Sequence, residues 1–155
     1  MPRKRPGALR AHPDPARRWD TAPPDRIRGL STSTSRAIQR YEQLDGSYYV
    51  FPGATDRALR RYRRFLSPVG TRPRYPRAPH CSCRGCSFDD VRHARDVLAE
   101  VLSALPPRPG AELARVLRPM DAAYLRRTLP DPFAERIRPA PWWYGRLGER
   151  WECGS

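Results

Sequence analysis

From residue 31 onward, short stretches of helical apolar spacing alternate with proline-rich breaks. In STSTSRAIQRYEQLDG, Ala37, Ile38, Tyr41 and Leu44 recur at the intervals of one helix face. The serines and threonines before them offer N-caps, and Gly46 marks the end. SYYVFPG follows, strand-prone from Tyr48 to Phe51 and closed by a Pro52-Gly53 turn. A lone strand makes no sheet, so this segment either pairs with a partner the sequence does not identify or runs extended and buried. ATDRALRRYRRFLSP predicts a helix from about Asp56 to Leu66, capped by Thr55, with Ala58, Leu59, Tyr62, Phe65 and Leu66 on one face. Arg57, Arg60 and Arg64 fall opposite, with Arg61 and Arg63 on the flanks.

After a proline-arginine linker comes the best-defined helix. Ser87 is its expected N-cap, Asp89 and Asp90 occupy its first turn, and Val91, Ala94, Leu98, Val101, Leu102 and Leu105 form its apolar stripe. Pro106-Pro107 stop it. Two further helices, around Ala111 to Leu117 and Asp121 to Leu129, are each bounded by proline. The tail PAPWWYGRLGERWECGS holds three of the four tryptophans. The pattern predicts a mainly α, small and irregular helical domain over residues 31–155, behind a disordered basic arm at 1–30 in which only Trp19 is suited to docking.

Composition sharpens this outline. A chain of 155 residues with 39% hydrophobic content and 19 prolines implies a small core with short helices. No run approaches the roughly 20 apolar residues of a membrane span. The N-terminal MPRKRPGALRAHPDPARRW lacks the apolar h-region of a secretory signal, and no apolar run follows Arg17-Arg18. A cytoplasmic protein is expected, and clustered cysteines in that reducing setting point to metal or redox chemistry rather than disulfides.

Net charge is +14, from 30 basic and 16 acidic residues, and every base but Lys4 is arginine. A biased genome can favour arginine over lysine, but it does not remove acids, so the surplus points to an anionic partner. The charge is concentrated: residues 55–79 hold eight bases against one acid, and residues 1–30 eight against three, whereas 80–105 hold three against four. Arg57, Arg60, Arg61, Arg63 and Arg64 on the helix, with Arg72, Arg74 and Arg77 in the linker, are the expected phosphate contacts. Tyr75, between two of the linker arginines, or Tyr62 offers a stacking surface. An acidic protein surface is the alternative partner, and a merely solvated face is the bland one. With a single acid nearby, ion pairing within the chain cannot absorb this charge. Trp142, Trp143, Tyr144 and Trp151 interleave with Arg146 and Arg150, and they read more simply as completing a small core than as a stacking platform.

Cys81, Cys83 and Cys86 form C-x-C-x-x-C. The C-R-G-C half can fold as a knuckle in which Gly85 takes a positive φ and two sulfurs face one thiophilic ion, zinc above all. A helix N-terminus just beyond would lower thiol pKa values. A closed site needs four ligands. Cys153 is the expected fourth, delivered by the docked tryptophans; His80 is the rival, hampered by its adjacency to Cys81. His93 falls toward the polar face and reads as solvated. An iron–sulfur cluster, thiol-redox chemistry and inert thiols are the other readings, and a Cys81–Cys83 disulfide would be strained. No phosphate loop, H-E-x-x-H, nucleophile elbow or dinucleotide fingerprint is present. The expectation is a non-catalytic, zinc-stabilised nucleic-acid-binding protein of low sequence specificity, with a protein-interaction adaptor as the alternative.

Overall fold

A computed structural model describes residues 22–134 and 140–149. Four α-helices carry the fold: α1 (Thr32–Leu44), α2 (Ala54–Leu66), α3 (Val91–Ala104) and α4 (Pro107–Arg127), with 3-10 turns at Cys86–Asp89 and Trp142–Tyr144. The described residues contain no β-strand; a single antiparallel bridge joins Pro130 to Arg146. None of their helices is long and apolar enough to cross a membrane.

α2 is central, packed against α3 along its length and against α4. Ala58, Leu59, Tyr62 and Phe65 are buried as the periodicity requires, facing Val91, Ala94, Leu98 and Val101 of α3. The helix begins earlier than expected. Gly53, at φ 89°, is its N-cap, and the buried Thr55 lies inside the first turn. The capping acceptor comes from α1: the Glu42 carboxylate takes the Gly53 and Thr55 N–H groups at 2.8 and 2.7 Å. Burial, set against those hydrogen bonds, raises the Glu42 pKa.

Other boundaries also move. α1 ends at Leu44, which is 74% exposed rather than on the buried face. Gly46 matters for space: a Cβ there would collide with the Val50 carbonyl and lie 2.8 Å from that of Glu42. The 48–51 segment forms no strand, but Val50 and Phe51 are buried. Asp90, not Ser87, caps α3, accepting from the Arg92 N–H at 2.8 Å. Ser87 sits in the preceding 3-10 turn. Pro106 and Pro107 separate α3 from α4, with Pro107 opening the new helix.

The two short helices expected after Pro107 are one helix of 21 residues that runs through Pro119. Leu113, Leu117, Met120 and Tyr124 are buried on both sides of that proline, so core packing offsets the one hydrogen bond it forfeits. Residues 27–30, assigned to the arm on composition, contribute Ile27 and Leu30 to the core.

A buried polar network ties α2, α3 and α4 together. Arg95 makes a bidentate pair with Asp121 at 2.9 and 3.0 Å, and the Tyr62 hydroxyl donates to the same carboxylate at 2.8 Å. The tail closes the core. Trp143 is buried, its indole N–H donating to Asp96 at 2.8 Å, and Arg95 lies 4.5 Å from the centroid of its ring. The Tyr144 hydroxyl donates to the other Asp96 oxygen. Arg146 caps α4, donating to the Thr128 hydroxyl and the Leu125 carbonyl at 2.8 and 2.9 Å. Trp142 stays 42% exposed, and Trp151 and Arg150 lie outside the described residues.

Candidate metal centre and basic groove

The Sγ atoms of Cys81, Cys83 and Cys86 all lie within 4.8 Å of one another. Sulfurs bound tetrahedrally to one zinc at about 2.3 Å stand about 3.8 Å apart, so the three are close enough to hold a single metal ion. Cys81 and Cys83 are exposed and Cys86 partly so. Neither His80 nor His93 joins this group, and Cys153 lies outside the described residues.

Local hydrogen bonds set the thiol chemistry. The Cys86 N–H donates to Cys83 Sγ at 3.3 Å, and the Cys81 thiol lies 3.1 Å from the same sulfur. Chiefly through that backbone bond, the Cys83 pKa falls to about 7, whereas hydrogen bonding to the other two thiols pushes Cys86 up to about 12. Cys83 thus ionises before Cys86. The α3 terminus is not the cause: Asp90 caps it, and the 3-10 turn intervenes.

The knuckle is held by the residues between its cysteines. The Tyr49 hydroxyl donates to the Ser82 carbonyl at 3.1 Å. Arg84 lies over the rings of Phe51 and Tyr48, 4.3 and 5.5 Å from their centroids. Arg57 donates to the Gly85 carbonyl at 3.0 Å while lying 5.0 Å from the Phe88 ring centroid. Gly85 itself is right-handed, φ −80°, so the turn does not use glycine's freedom. The YYVF segment, without a strand partner, is therefore the bed of the knuckle. His93 is not solvated: it packs edge-to-face on Tyr49 and Phe88, and burial lowers its pKa.

The arginines divide. Arg57, Arg61 and Arg63 of α2 donate to the carbonyls of Gly85, Asp89 and Arg28, and Arg74 donates to that of Phe65 at 2.7 Å. Arg60 pairs with Asp56 at 2.9 Å, and Arg77 pairs with Glu149. A count of acids therefore undervalued the chain's own acceptors: backbone carbonyls bind these guanidinium groups while leaving their charge uncancelled.

Arg61, Arg64, Arg74, Arg77 and Tyr75 come together around an open groove of about 720 Å³ between α2 and the 73–80 segment. Phe65 and His80 also line it, and so do two acids, Asp89 and Glu149. Arg57, Arg60, Arg63 and Arg72 lie outside it. Its tail wall is fixed by the Glu149 N–H donating to the Pro76 carbonyl at 2.7 Å. His80 lines the groove and does not join the thiols, and nothing in residue spacing ties Glu149 to Arg77.

The fold and site define a mainly helical protein with a three-cysteine cluster that can hold a metal ion. Comparison with protein-family models, curated proteins and solved structures finds no match to this chain.

Proposed function

We propose that this is a nucleic-acid-binding protein of low sequence specificity, with a structural zinc ion and no catalytic role of its own. The observation that carries the reading is the groove: arginines from a helix and from the irregular segment that follows it line opposite sides of one open cleft with an exposed tyrosine beside them. Guanidinium groups suit phosphate oxygens, and contacts of that kind position a nucleic acid without reading its bases.

Zinc is the ion best matched to three clustered thiols, with Cys153 as the fourth ligand. The tail is pinned at Glu149 beside Pro76 and Arg77. Cys153 follows Glu149 by four residues, as Cys81 follows Arg77. Four extended residues span up to about 14 Å, which is the reach from Glu149 that this ligand set requires of Cys153.

Fluorescence anisotropy with a labelled oligonucleotide of mixed sequence at low salt tests the reading. Binding is expected in the micromolar range or tighter and falls at least tenfold in Arg64→Glu/Arg74→Glu. Failure to bind either DNA or RNA overturns the reading.

A further inference from the structure

We infer that the groove takes single-stranded rather than duplex nucleic acid, through about three phosphates and a base stacked on Tyr75. This rests on the reading above and specifies its ligand. A duplex is read by a convex element, a helix or ribbon entering a major groove about 12 Å wide. Here the basic side chains do the opposite. Arg61 and Arg64 of α2 line a cleft whose facing wall is the irregular 73–80 segment with Arg74 and Arg77. A single strand can lie in that cleft, whereas a duplex reaches only its rim.

The groove's inventory matches such a ligand. Tyr75, set between Arg74 and Arg77, is 44% exposed, and His80 and Phe65 add ring surface to the same lining. Flat rings beside cationic groups bind unstacked bases with little sequence preference. The phosphate count follows from what each guanidinium already does. The Arg64 guanidinium has no hydrogen bond or ion pair with a described residue; Arg61 and Arg74 each give one bond to a carbonyl, and apart from the buried Arg61 Nε their other N–H groups remain for a ligand. Arg77 is held by Glu149, and Asp89 stands beside Arg61's bond, so these two acids limit how many phosphates the groove accepts. Three contacts remain.

Equilibrium binding of the full chain to a short labelled oligothymidylate, and to a duplex of the same length, tests this across a salt series. Expected is a single-strand affinity at least tenfold above that for the duplex, with a log–log salt slope of about −2, from about 0.7 per phosphate; engagement of all eight arginines of residues 55–79 would give about −6. Tyr75→Ala weakens single-strand binding roughly fivefold, while Tyr75→Phe retains it. Equal or tighter duplex binding overturns the inference and leaves the nucleic-acid reading standing. So does a slope near −6, or a Tyr75→Ala variant that binds like the parent. Binding to neither oligonucleotide overturns the reading on which the inference rests.

Discussion

The cysteine knuckle at 81–86 and the aromatic tail at 141–149 are both irregular segments rich in conspicuous side chains, and they use them in opposite ways. In the tail most of the conspicuous residues turn inward, Trp142 excepted. Trp143 is buried, Tyr144 shares Asp96 with it, and Arg146 closes the end of α4. In the knuckle the three thiols are exposed or nearly so, and the plain residues between them make the contacts. The tail's conspicuous side chains thus do the docking themselves, whereas in the knuckle docking falls to residues other than the thiols. A residue's type names the interactions open to it; the neighbours that reach it decide which is used.

The sharpest break in this comparison comes from Trp143→Ala. Removing a buried tryptophan is expected to cost about 3–5 kcal/mol in denaturant unfolding. It also strips the ring from Arg95 and leaves an oxygen of Asp96 without its donor. A loss below about 1 kcal/mol would mean the tail is an accessory and not part of the core.

Much of this architecture was legible in the residues. Apolar spacing located α1, α2 and α3 and the buried faces of α2 and α3, because 3.6-residue periodicity is local information. The cysteine spacing pointed to a common centre for the same reason. What was hidden is long-range. Glu42 caps a helix that begins 12 residues later, so Thr55 looked like the nearest cap. Pro119 looked like a stop because the core contacts flanking it come from other elements. The four guanidinium-to-carbonyl bonds leave no mark on composition, since every residue carries a carbonyl. The groove combines α2, a linker and Glu149 from the tail, which no single window contains.

Zinc removal sharpens the comparison next, because Cys153 would join the two regions. Three ligands within six residues can chelate a metal in the unfolded chain almost as well as in the folded one, and binding to both states adds little stability. Cys153 differs: it lies 67 residues beyond Cys86, and the unfolded chain must close that loop at a cost of about 3 kcal/mol or more. About one zinc per chain is expected by elemental analysis. Chelation should lower unfolding stability by about 3 kcal/mol in the parent. In Cys153→Ser some zinc binding should persist while its effect on stability falls below about 1 kcal/mol. An equal zinc effect in both proteins would place the fourth ligand elsewhere.

The smallest effect expected is the one that separates the roles of two arginines on the same helix. Arg57 touches the Gly85 carbonyl inside the knuckle and lies outside the groove; Arg64 lines the groove and touches no part of the knuckle. A group that orients a metal loop from behind typically changes metal affinity by 10- to 100-fold, and Arg57 acts through a carbonyl between two cysteines, so the lower figure applies. Arg57→Ala should therefore weaken zinc binding about tenfold, roughly 1.4 kcal/mol, with nucleic-acid affinity little changed. Arg57→Lys keeps the charge near Cys83 and Cys86 but not the guanidinium fork, so partial recovery would measure how much of the effect is electrostatic. Arg64→Ala should show the reverse pattern, weaker nucleic-acid binding at unchanged zinc affinity. If both variants lost nucleic-acid binding equally, α2 would act as one uniformly basic face, and the division drawn from its carbonyl bonds would fail.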